Sequence, residues 1–258
     1  TITISHTQSF GTDATPVWPA GWTQSYQDGV TSNRWTVSAT NNAGGTANEM
    51  KCTWEDAVGI SRLITPPINT DGIANFSAQF NHYFNDFAAG ATAKVQYSHD
   101  LNTWYDTNWT LASGGGDDLG LRTALVLGIN QPITYVAWVV DGDHYQFDYW
   151  YVDDVVLDLL PTHDVAPISI FTPESEVVDA LTPLTPSVQV ANLGANAETF
   201  TVTATWDTYT NTQTVTNLGI GQTATVTFAT FTPNTYAAQY FTVTTNLATD
   251  VNTANDVL

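Results

Sequence analysis

Short segments in which apolar and polar residues alternate recur along the first half of the chain, whereas the spacing of an amphipathic helix is hard to find. Stretches rich in Gly, Pro, Asn and Asp separate these segments, as turns separate strands. The clearest segments are "ANFSAQFNHYF" (residues 74–84), "AKVQYSHD" (93–100), "TYVAWVV" (134–140) and "QFDYWYVDDVVLDL" (146–159). This pattern predicts an all-β first half.

The second half repeats short strand-like segments at intervals of roughly ten residues, with Gly, Asn or Pro between them. Thr alternates with Val and Phe, which suits a strand that has one wet face, because Thr is β-branched and offers a hydroxyl to water. Examples are "PSVQVANLG" (186–194), "ETFTVTATW" (198–206) and "QTATVTFAT" (222–230). About seven short strands of this kind are typical of a Greek-key sandwich of the immunoglobulin type.

The composition of the chain changes near "LLPTHDVAP" (159–167). All five Lys and Arg residues precede this segment, so the two parts carry formal charges of about −12 and −8. The change predicts two domains, a first β-sandwich over residues 1–160 and an immunoglobulin-like β-sandwich over 161–258.

The charge balance excludes several kinds of partner. With 25 acidic and five basic residues, the net charge is −20, which disfavours nucleic acid and anionic membranes but attracts divalent cations.

No apolar stretch reaches the roughly 18 residues that span a bilayer, so no membrane insertion is expected. The single cysteine, Cys52, excludes an intrachain disulfide and a thiolate metal site. The start at Thr1, without Met or a leader, suggests a mature or excised fragment.

Asp153 and Asp154 lie inside an apolar run, where a half-buried strand favours valine. Simple alternation places Asp153 on the face of Val155 and Asp154 on the face of Val152, so each aspartate has apolar neighbours. An ionised carboxylate in such a place must be paired, hydrogen-bonded or bound to a metal. Basic partners are scarce, which leaves a metal ion or backbone amides at a strand end.

Three strings in the first half carry a family resemblance. In order, they are "PAGWTQSYQDGVTSNRW" (19–35), "LITPPINT" (63–70) and "WYVDDVVLD" (150–158). They resemble the cleaved adhesin domain of secreted bacterial proteins, a jelly-roll relative of MAM domains. "HDVAPISI" (163–170) and "TDVNTANDV" (249–257) are similar to the cell-adhesion-related domain of bacteria. The resemblance implies a jelly roll followed by an immunoglobulin-like sandwich, in a secreted or cell-surface protein.

The same resemblance implies a structural calcium ion where the last strand of the jelly roll returns beside the first. Calcium takes six to eight oxygen ligands, so backbone carbonyls and water would complete a shell of carboxylates. By position, the candidate ligands are Asp13, Asp86, Asp153 and Asp154.

The segment "VDGDHYQFD" (140–148) is a candidate for a second cation site. Asp141, Asp143 and Asp148 supply spaced carboxylates that resemble half of an EF-hand loop without its closing Glu. The alternative is a solvated hairpin.

Aromatic residues provide the candidates for ligand binding. Sugar-binding modules lay Trp and Tyr rings against pyranose rings and bind hydroxyls with Asp, Asn or Gln. The segment "NTWYDTNWT" (102–110) offers Trp104, Tyr105 and Trp109, with Trp35 and Trp54 as further candidates. The alternative is packing in the sandwich core, which we expect for Trp138 and Trp150.

No catalytic motif is apparent. Ser98, His99 and Asp100 are consecutive, but adjacent strand residues face opposite ways, so we expect a strand end that enters a turn. The sequence contains neither GxSxG nor HExxH. The pair Asp117 and Asp118 has no separation fixed by sequence adjacency. We expect a protein that is not an enzyme.

Three function classes remain. The leading hypothesis is a non-catalytic adhesion module, secreted or on the cell surface, that binds carbohydrate or a protein. The second is a subunit of an extracellular filament or surface layer, in which "TITISHTQSF" (1–10) completes a neighbour's sheet; the favoured alternative is that this segment is a strand of its own domain. The third is a pair of ancillary domains of a larger secreted protease or glycosidase.

Overall fold

The computed structural model describes residues 1–11, 17–173, 181–233 and 240–258, and Asp13 lies outside them. The chain divides into two compact units, Thr1–Leu159 and Leu160–Leu258. Both consist of β-strands, and a short 3-10 turn spans His144–Gln146. The prediction of an all-β protein built from β-sandwiches is confirmed. In the described residues, no helix is long and apolar enough to cross a membrane.

The strands of the first unit are Ile2–Thr3 (β1), His6–Gln8 (β2), Thr23–Gln27 (β3), Trp35–Ser38 (β4), Glu49–Thr53 (β5), Val58–Ile64 (β6), Ile68–Asn69 (β7), Phe76–Asp86 (β8), Ala91–Ser98 (β9), Tyr105–Ala112 (β10), Asp118–Val126 (β11), Ile133–Asp143 (β12) and Phe147–Leu159 (β13). A seven-stranded sheet has β12 between β6 and β9, with β3 beyond β6, β10 beyond β9, and β7 and β1 beside the start of β12. A six-stranded sheet follows the order β11-β8-β13-β5-β4, and β2 also pairs with β13.

The N-terminal segment belongs to the sheets of its own unit. β1 pairs in parallel with β7, and β2 pairs in antiparallel fashion with β13. Its backbone hydrogen bonds are therefore made within the unit, as the favoured interpretation of "TITISHTQSF" expects.

Large aromatic side chains fill the space between the two sheets. Trp150 from one sheet and Trp138 from the other are fully buried, as predicted. Trp35 is only 1% exposed and its ring centroid lies 5.4 Å from that of Trp150. The proposal of Trp35 as a ligand-binding residue is therefore wrong, because the core covers its ring.

A β-bulge in β13 corrects the simple alternation assumed from the sequence. The register with β8 shifts between Asp153 and Val156, and Asp154 has a positive φ of 46°. One extra residue reverses the phase of the strand. Val152 and Val155, on either side of the bulge, consequently both face the core.

The strands of the second unit are Val165–Thr172 (β14), Ser187–Asn192 (β15), Glu198–Trp206 (β16), Tyr209–Leu218 (β17), Thr223–Thr227 (β18) and Thr242–Asn246 (β19). They form two sheets, ordered β14-β15-β18 and β17-β16-β19. The inward residues of both sheets, including Val190, Val202 and Val243, form one apolar core. The distribution of sequential strands between two sheets is that of an immunoglobulin-like sandwich.

The packing of the aromatic core predicts how far the loss of one buried side chain lowers the stability of the first unit. Trp150→Ala should lower the free energy of unfolding of the first unit by about 3–5 kcal/mol, because it removes a buried indole and leaves a cavity. Denaturant unfolding followed by circular dichroism would measure the loss. Leu159→Ala, at the exposed end of the same strand, is the control and should change stability by less than about 0.5 kcal/mol. Equal effects of the two substitutions would contradict the packing described.

Candidate functional site

The two aspartates occupy a point where β13 changes its neighbour. Up to Val152 the strand pairs with β5, and from Val155 onwards it pairs with β2. Asp153 and Asp154 lie between these two pairings. The bulge therefore places two carboxylates where the ladder on that side of β13 is interrupted.

Asp153 is fully buried and only partly satisfied. Its Oδ1 accepts a hydrogen bond of 2.7 Å from the Asp154 amide, whereas its Oδ2 is buried without a partner. Burial, together with the nearby charges of Asp154 and Glu49, raises the pKa of Asp153 to about 7, although this hydrogen bond lowers it in part. Such an orphaned oxygen is costly unless a proton or a cation reaches it.

A glycine loop leaves space beside both carboxylates. A Cβ at Gly45 would lie 2.5 Å from Asp154 Oδ2 and 3.4 Å from Asp153 Oδ2, so the two oxygens converge on the position that a side chain would fill. Gly45 also has a positive φ of 73°, which disfavours other residues. Asp154 Oδ2 accepts a hydrogen bond of 3.1 Å from the Asn81 amide group.

Glu49 holds this loop in place, and the sequence analysis missed it. The buried carboxylate accepts hydrogen bonds from the Thr40 hydroxyl at 2.6 Å and from the amides of Asn42 and Ala43 at 2.8 and 2.7 Å. It also adds a negative charge near Asp153. A Glu directly after a Gly- and Asn-rich turn, in "NNAGGTANEM" (41–50), was the available signal.

These residues fit a hard cation in the chemistry of their donors. Asp153 and Asp154 offer carboxylate oxygens, which Ca²⁺ prefers. The unpartnered Oδ2 of Asp153 lies beside the space left by the missing side chain of Gly45. Within the described part of the chain, no three His, Cys, Asp or Glu side chains converge as a metal cage. Neutral oxygens or water would therefore complete any shell around the two aspartates.

The structure does not bring Asp86 to this site. Asp86 pairs with Phe147 at the start of β13, six residues before Asp153, and its carboxylate accepts hydrogen bonds of 2.7–2.9 Å from the amides of Gly114 and Gly116. Its inclusion among the ligands of a shared ion was wrong, because nearby loop amides already satisfy it.

The second cation site expected in residues 140–148 is not formed either. Asp141 pairs with Lys94 at 2.8 Å, on the outer face of the seven-stranded sheet. Asp143 instead caps the 3-10 turn, accepting hydrogen bonds from the Tyr145 amide at 3.0 Å and from Gln146 at 2.7 Å. Asp148 is exposed on β13. The three carboxylates serve separate local roles.

A second candidate site covers the outer face of the seven-stranded sheet, which we call the Trp104 face. Trp104 packs against the small apolar cluster of Ile64, Ala137 and Val139, on the side of the sheet opposite the main core. The guanidinium carbon of Arg62 lies 5.0 Å from the centroid of the Trp104 ring, a cation–π contact.

Polar side chains form a continuous network across the Trp104 face. Arg62 donates to Gln96 and Gln27, both at 3.2 Å, and Gln96 donates to Asp106 at 2.8 Å. Lys94 then bridges Asp106 at 3.4 Å and Asp141. Burial opposes the charge on Lys94, but the hydrogen bond and charge of Asp141, with those of Asp106, raise its pKa. The network crosses β3, β6, β9, β10 and β12 and fixes the positions of its donors and acceptors.

The aromatic candidates of residues 102–110 do not form one platform. Tyr105 stacks on Tyr97, which packs against the main core, and thus lies away from the Trp104 face. Trp109 packs against the core, with its ring stacked 5.9 Å from that of Trp150. The structure therefore supports Trp104 as a surface aromatic but assigns Trp109 to the core. Trp104 and Trp109 are five residues apart, so strand alternation puts them on opposite faces, and the irregularity in β10 adds two residues and leaves this phase unchanged.

The groups considered for catalysis have structural partners. Ser98 donates to Asp100 and accepts from the amides of Asp100 and Leu101, which is the turn that was expected. Asp117 accepts hydrogen bonds from Tyr83 and Asn85, and Asp118 pairs with Arg122 at 2.6 Å.

One buried pair has the composition of a catalytic dyad. Ser61 Oγ lies 2.9 Å from His144 Nε2, but both residues are fully buried, so a substrate has no access to them. Burial lowers the pKa of His144.

Comparison with known proteins gives only structural likenesses. No family model matches the chain, and no curated protein matches it significantly. The K1 cleaved adhesin domain of Lys-gingipain from Porphyromonas gingivalis W83 is 16% identical with a TM-score of 0.43, over 60% of this chain and 97% of that one. The K3 domain of the same protein is 17% identical with a TM-score of 0.44, over 59% and 98%. TmCBM61, solved in complex with β-1,4-galactotriose, is 15% identical with a TM-score of 0.37, over 54% and 88%. Likeness at this level assigns neither a family nor a function.

The buried carboxylate predicts a pH dependence of the metal-free protein. The pKa of Asp153 in the folded state, about 7, exceeds that of an unfolded aspartate, about 3.9. Between these values the folded state holds the extra proton, so the stability of the first unit should fall as the pH rises from 4 to 7. Thermal unfolding in chelator at pH 5 and pH 8 would measure this fall.

Asp153→Asn should remove most of that fall, because the amide does not ionise. Asp148→Asn, on an exposed position of the same strand, should retain it. If Asp153→Asn loses stability between pH 5 and pH 8 as much as the unaltered protein does, Asp153 does not titrate in this range.

Proposed function

We propose that the chain is a non-catalytic binding module, secreted or at the cell surface, that recognises carbohydrate through the Trp104 face. The observation that carries this proposal is the position of the Trp104 ring. It contacts the Arg62 guanidinium, packs against the apolar cluster of Ile64, Ala137 and Val139, and lies beside a hydrogen-bonded polar network. The proposal applies equally to an adhesin and to an ancillary module of a larger enzyme. The pairing of the N-terminal strands within their own unit removes the argument that residues 1–10 complete a neighbour's sheet in a filament.

The Trp104 face combines the two kinds of contact that a sugar needs. One face of a pyranose ring presents C–H groups, which pack against an aromatic ring, while its hydroxyls need donors and acceptors at fixed positions. Gln27 and Asp106 are exposed and offer such groups, and the buried Arg62 and Gln96 between them hold both side chains in place. Because they already hold one another, binding would cost little side-chain entropy.

The charges on this face favour a neutral sugar. Arg62 and Lys94 are the cations of the network, and the carboxylates of Asp106 and Asp141 lie beside them. The pairing leaves no excess positive charge to attract a uronate or a sulfate, and the chain as a whole is strongly acidic. A neutral oligosaccharide meets no such repulsion.

We also propose that Asp153 and Asp154 bind a structural calcium ion at the bulge. The support is the orphaned, buried Oδ2 of Asp153 and its convergence with Asp154 Oδ2 beside Gly45. A bound cation would offset the mutual repulsion of the carboxylates and join β13 to the loop that precedes β5.

Binding on a glycan array tests the carbohydrate proposal. Trp104→Ala should reduce binding to the recognised neutral glycan by at least tenfold, because it removes the stacking surface and the contact with Arg62. Tyr105→Ala is the matched control, since the next residue along the chain lies away from this face, and it should bind as the unaltered protein does. Absence of glycan binding, or equal loss in both variants, would refute the assignment.

Thermal unfolding tests the calcium proposal. Ca²⁺ at a hundredfold excess over its Kd should stabilise the first unit by about 2.7 kcal/mol, a rise of roughly 5 °C or more in Tm. Asp153→Asn should abolish the rise, because one ligand is neutralised, whereas Asp148→Asn should preserve it. A chelator that leaves the Tm of the unaltered protein unchanged would exclude the ion.

A further inference from the structure

Three aromatic side chains are exposed together at one end of the first unit, and we call them the edge patch. Trp54 is 42% exposed, Phe87 61% and Tyr145 47%. The ring centroid of Tyr145 lies 5.5 Å from that of Trp54 and 5.8 Å from that of Phe87, and both contacts are edge-on. A contiguous group of exposed aromatic rings typically marks an interaction surface.

The backbone holds the edge patch in a fixed arrangement. Trp54 follows β5, Phe87 follows β8, and Tyr145 lies in the 3-10 turn after β12. The amide of Trp54 donates to the carbonyl of Asp148 at 3.2 Å, and the amide of Phe87 donates to that of Gln146 at 3.1 Å. Three connections between the sheets are therefore tied to one another, so the rings are presented without a large ordering cost on binding.

The surroundings of the edge patch are acidic. Asp56 and Asp148 are exposed close to Trp54, and Asp143 precedes Tyr145 by two residues. Hydrogen bonds from Gln146 and from the Tyr145 amide lower the pKa of Asp143, so it is charged at neutral pH.

The neighbouring cations are already engaged. Arg34 lies 3.4 Å from Glu55, and Lys51 lies over the ring of Tyr149. The carboxylates named around the edge patch, with Glu55, therefore outnumber these two cations, and the three aromatic side chains are exposed among them.

We propose that the edge patch binds a lysine or arginine side chain on the basic surface of a protein partner. A cation over an aromatic face gains about 0.5–1 kcal/mol at an exposed site, and the flanking carboxylates steer basic partners towards it. A second copy of this chain fits poorly, because each copy carries a net charge of −20.

This site is distinct from the Trp104 face and does not depend on the glycan proposal. Tyr135 packs against the same small apolar cluster as Trp104 and lies near the start of β12, whereas Tyr145 lies in the turn after the other end of that strand. The extended chain from Tyr135 to Asp143 alone spans roughly 25 Å. The two sites can therefore be altered independently.

Fluorescence anisotropy with a labelled octa-arginine peptide, and with an octa-glutamate peptide for comparison, tests the proposal on the full chain. The arginine peptide should bind, and should bind less tightly as salt is raised; the glutamate peptide should not. The double variant Trp54→Ala with Phe87→Ala should weaken arginine-peptide binding by about tenfold, since it removes two ring contacts. Both side chains are exposed, and circular dichroism would confirm that the variant is folded.

Two controls separate the edge patch from general charge attraction and from glycan binding. Tyr105→Ala removes an exposed aromatic elsewhere, and Trp104→Ala removes the glycan platform; both should bind the arginine peptide normally. Equal affinity of the double variant and the unaltered protein would show diffuse charge attraction and overturn the proposal. No binding of the peptide at low salt would also overturn it, as would loss of glycan binding in the double variant with peptide binding intact.

Discussion

A carboxylate buried in a β-sandwich has to be compensated, and β13 carries one near the centre of its sheet. Asp153 is fully buried within a bulge that adds one residue to the strand. The same bulge lets Val152 and Val155 both face the core and lets β13 exchange β5 for β2. The fold of the first unit and the proposed calcium site thus depend on one local departure from regular pairing.

The two proposed binding surfaces use aromatic rings in different electrostatic settings. On the Trp104 face, Arg62 and Lys94 are matched by nearby carboxylates, and the donors and acceptors are fixed by mutual hydrogen bonds. At the edge patch, Trp54 and Phe87 stand in a surplus of negative charge. A neutral polar ligand suits the first setting, and a cation suits the second.

The expectations that failed share a physical cause. Asp86 was considered as a metal ligand from the family resemblance, and Asp143 from the spacing of carboxylates in an EF-hand-like segment, but each accepts hydrogen bonds from nearby amides instead. Trp109 was grouped with Trp104 by proximity in the sequence, whereas its ring stacks on Trp150 in the core. Spacing along a chain does not specify which partner a polar atom or a ring will meet.

The sequence by itself determined the all-β class, the positions of the long strands and the burial of Trp138 and Trp150, because alternation is a local property of extended backbone. It also identified Asp153 and Asp154 as carboxylates that need compensation. Tertiary structure alone decided that Gly45 and Glu49 join them, and that Trp104 faces away from the core. Such contacts arise from strand register and from bulges, which depend on pairing between residues far apart in the chain.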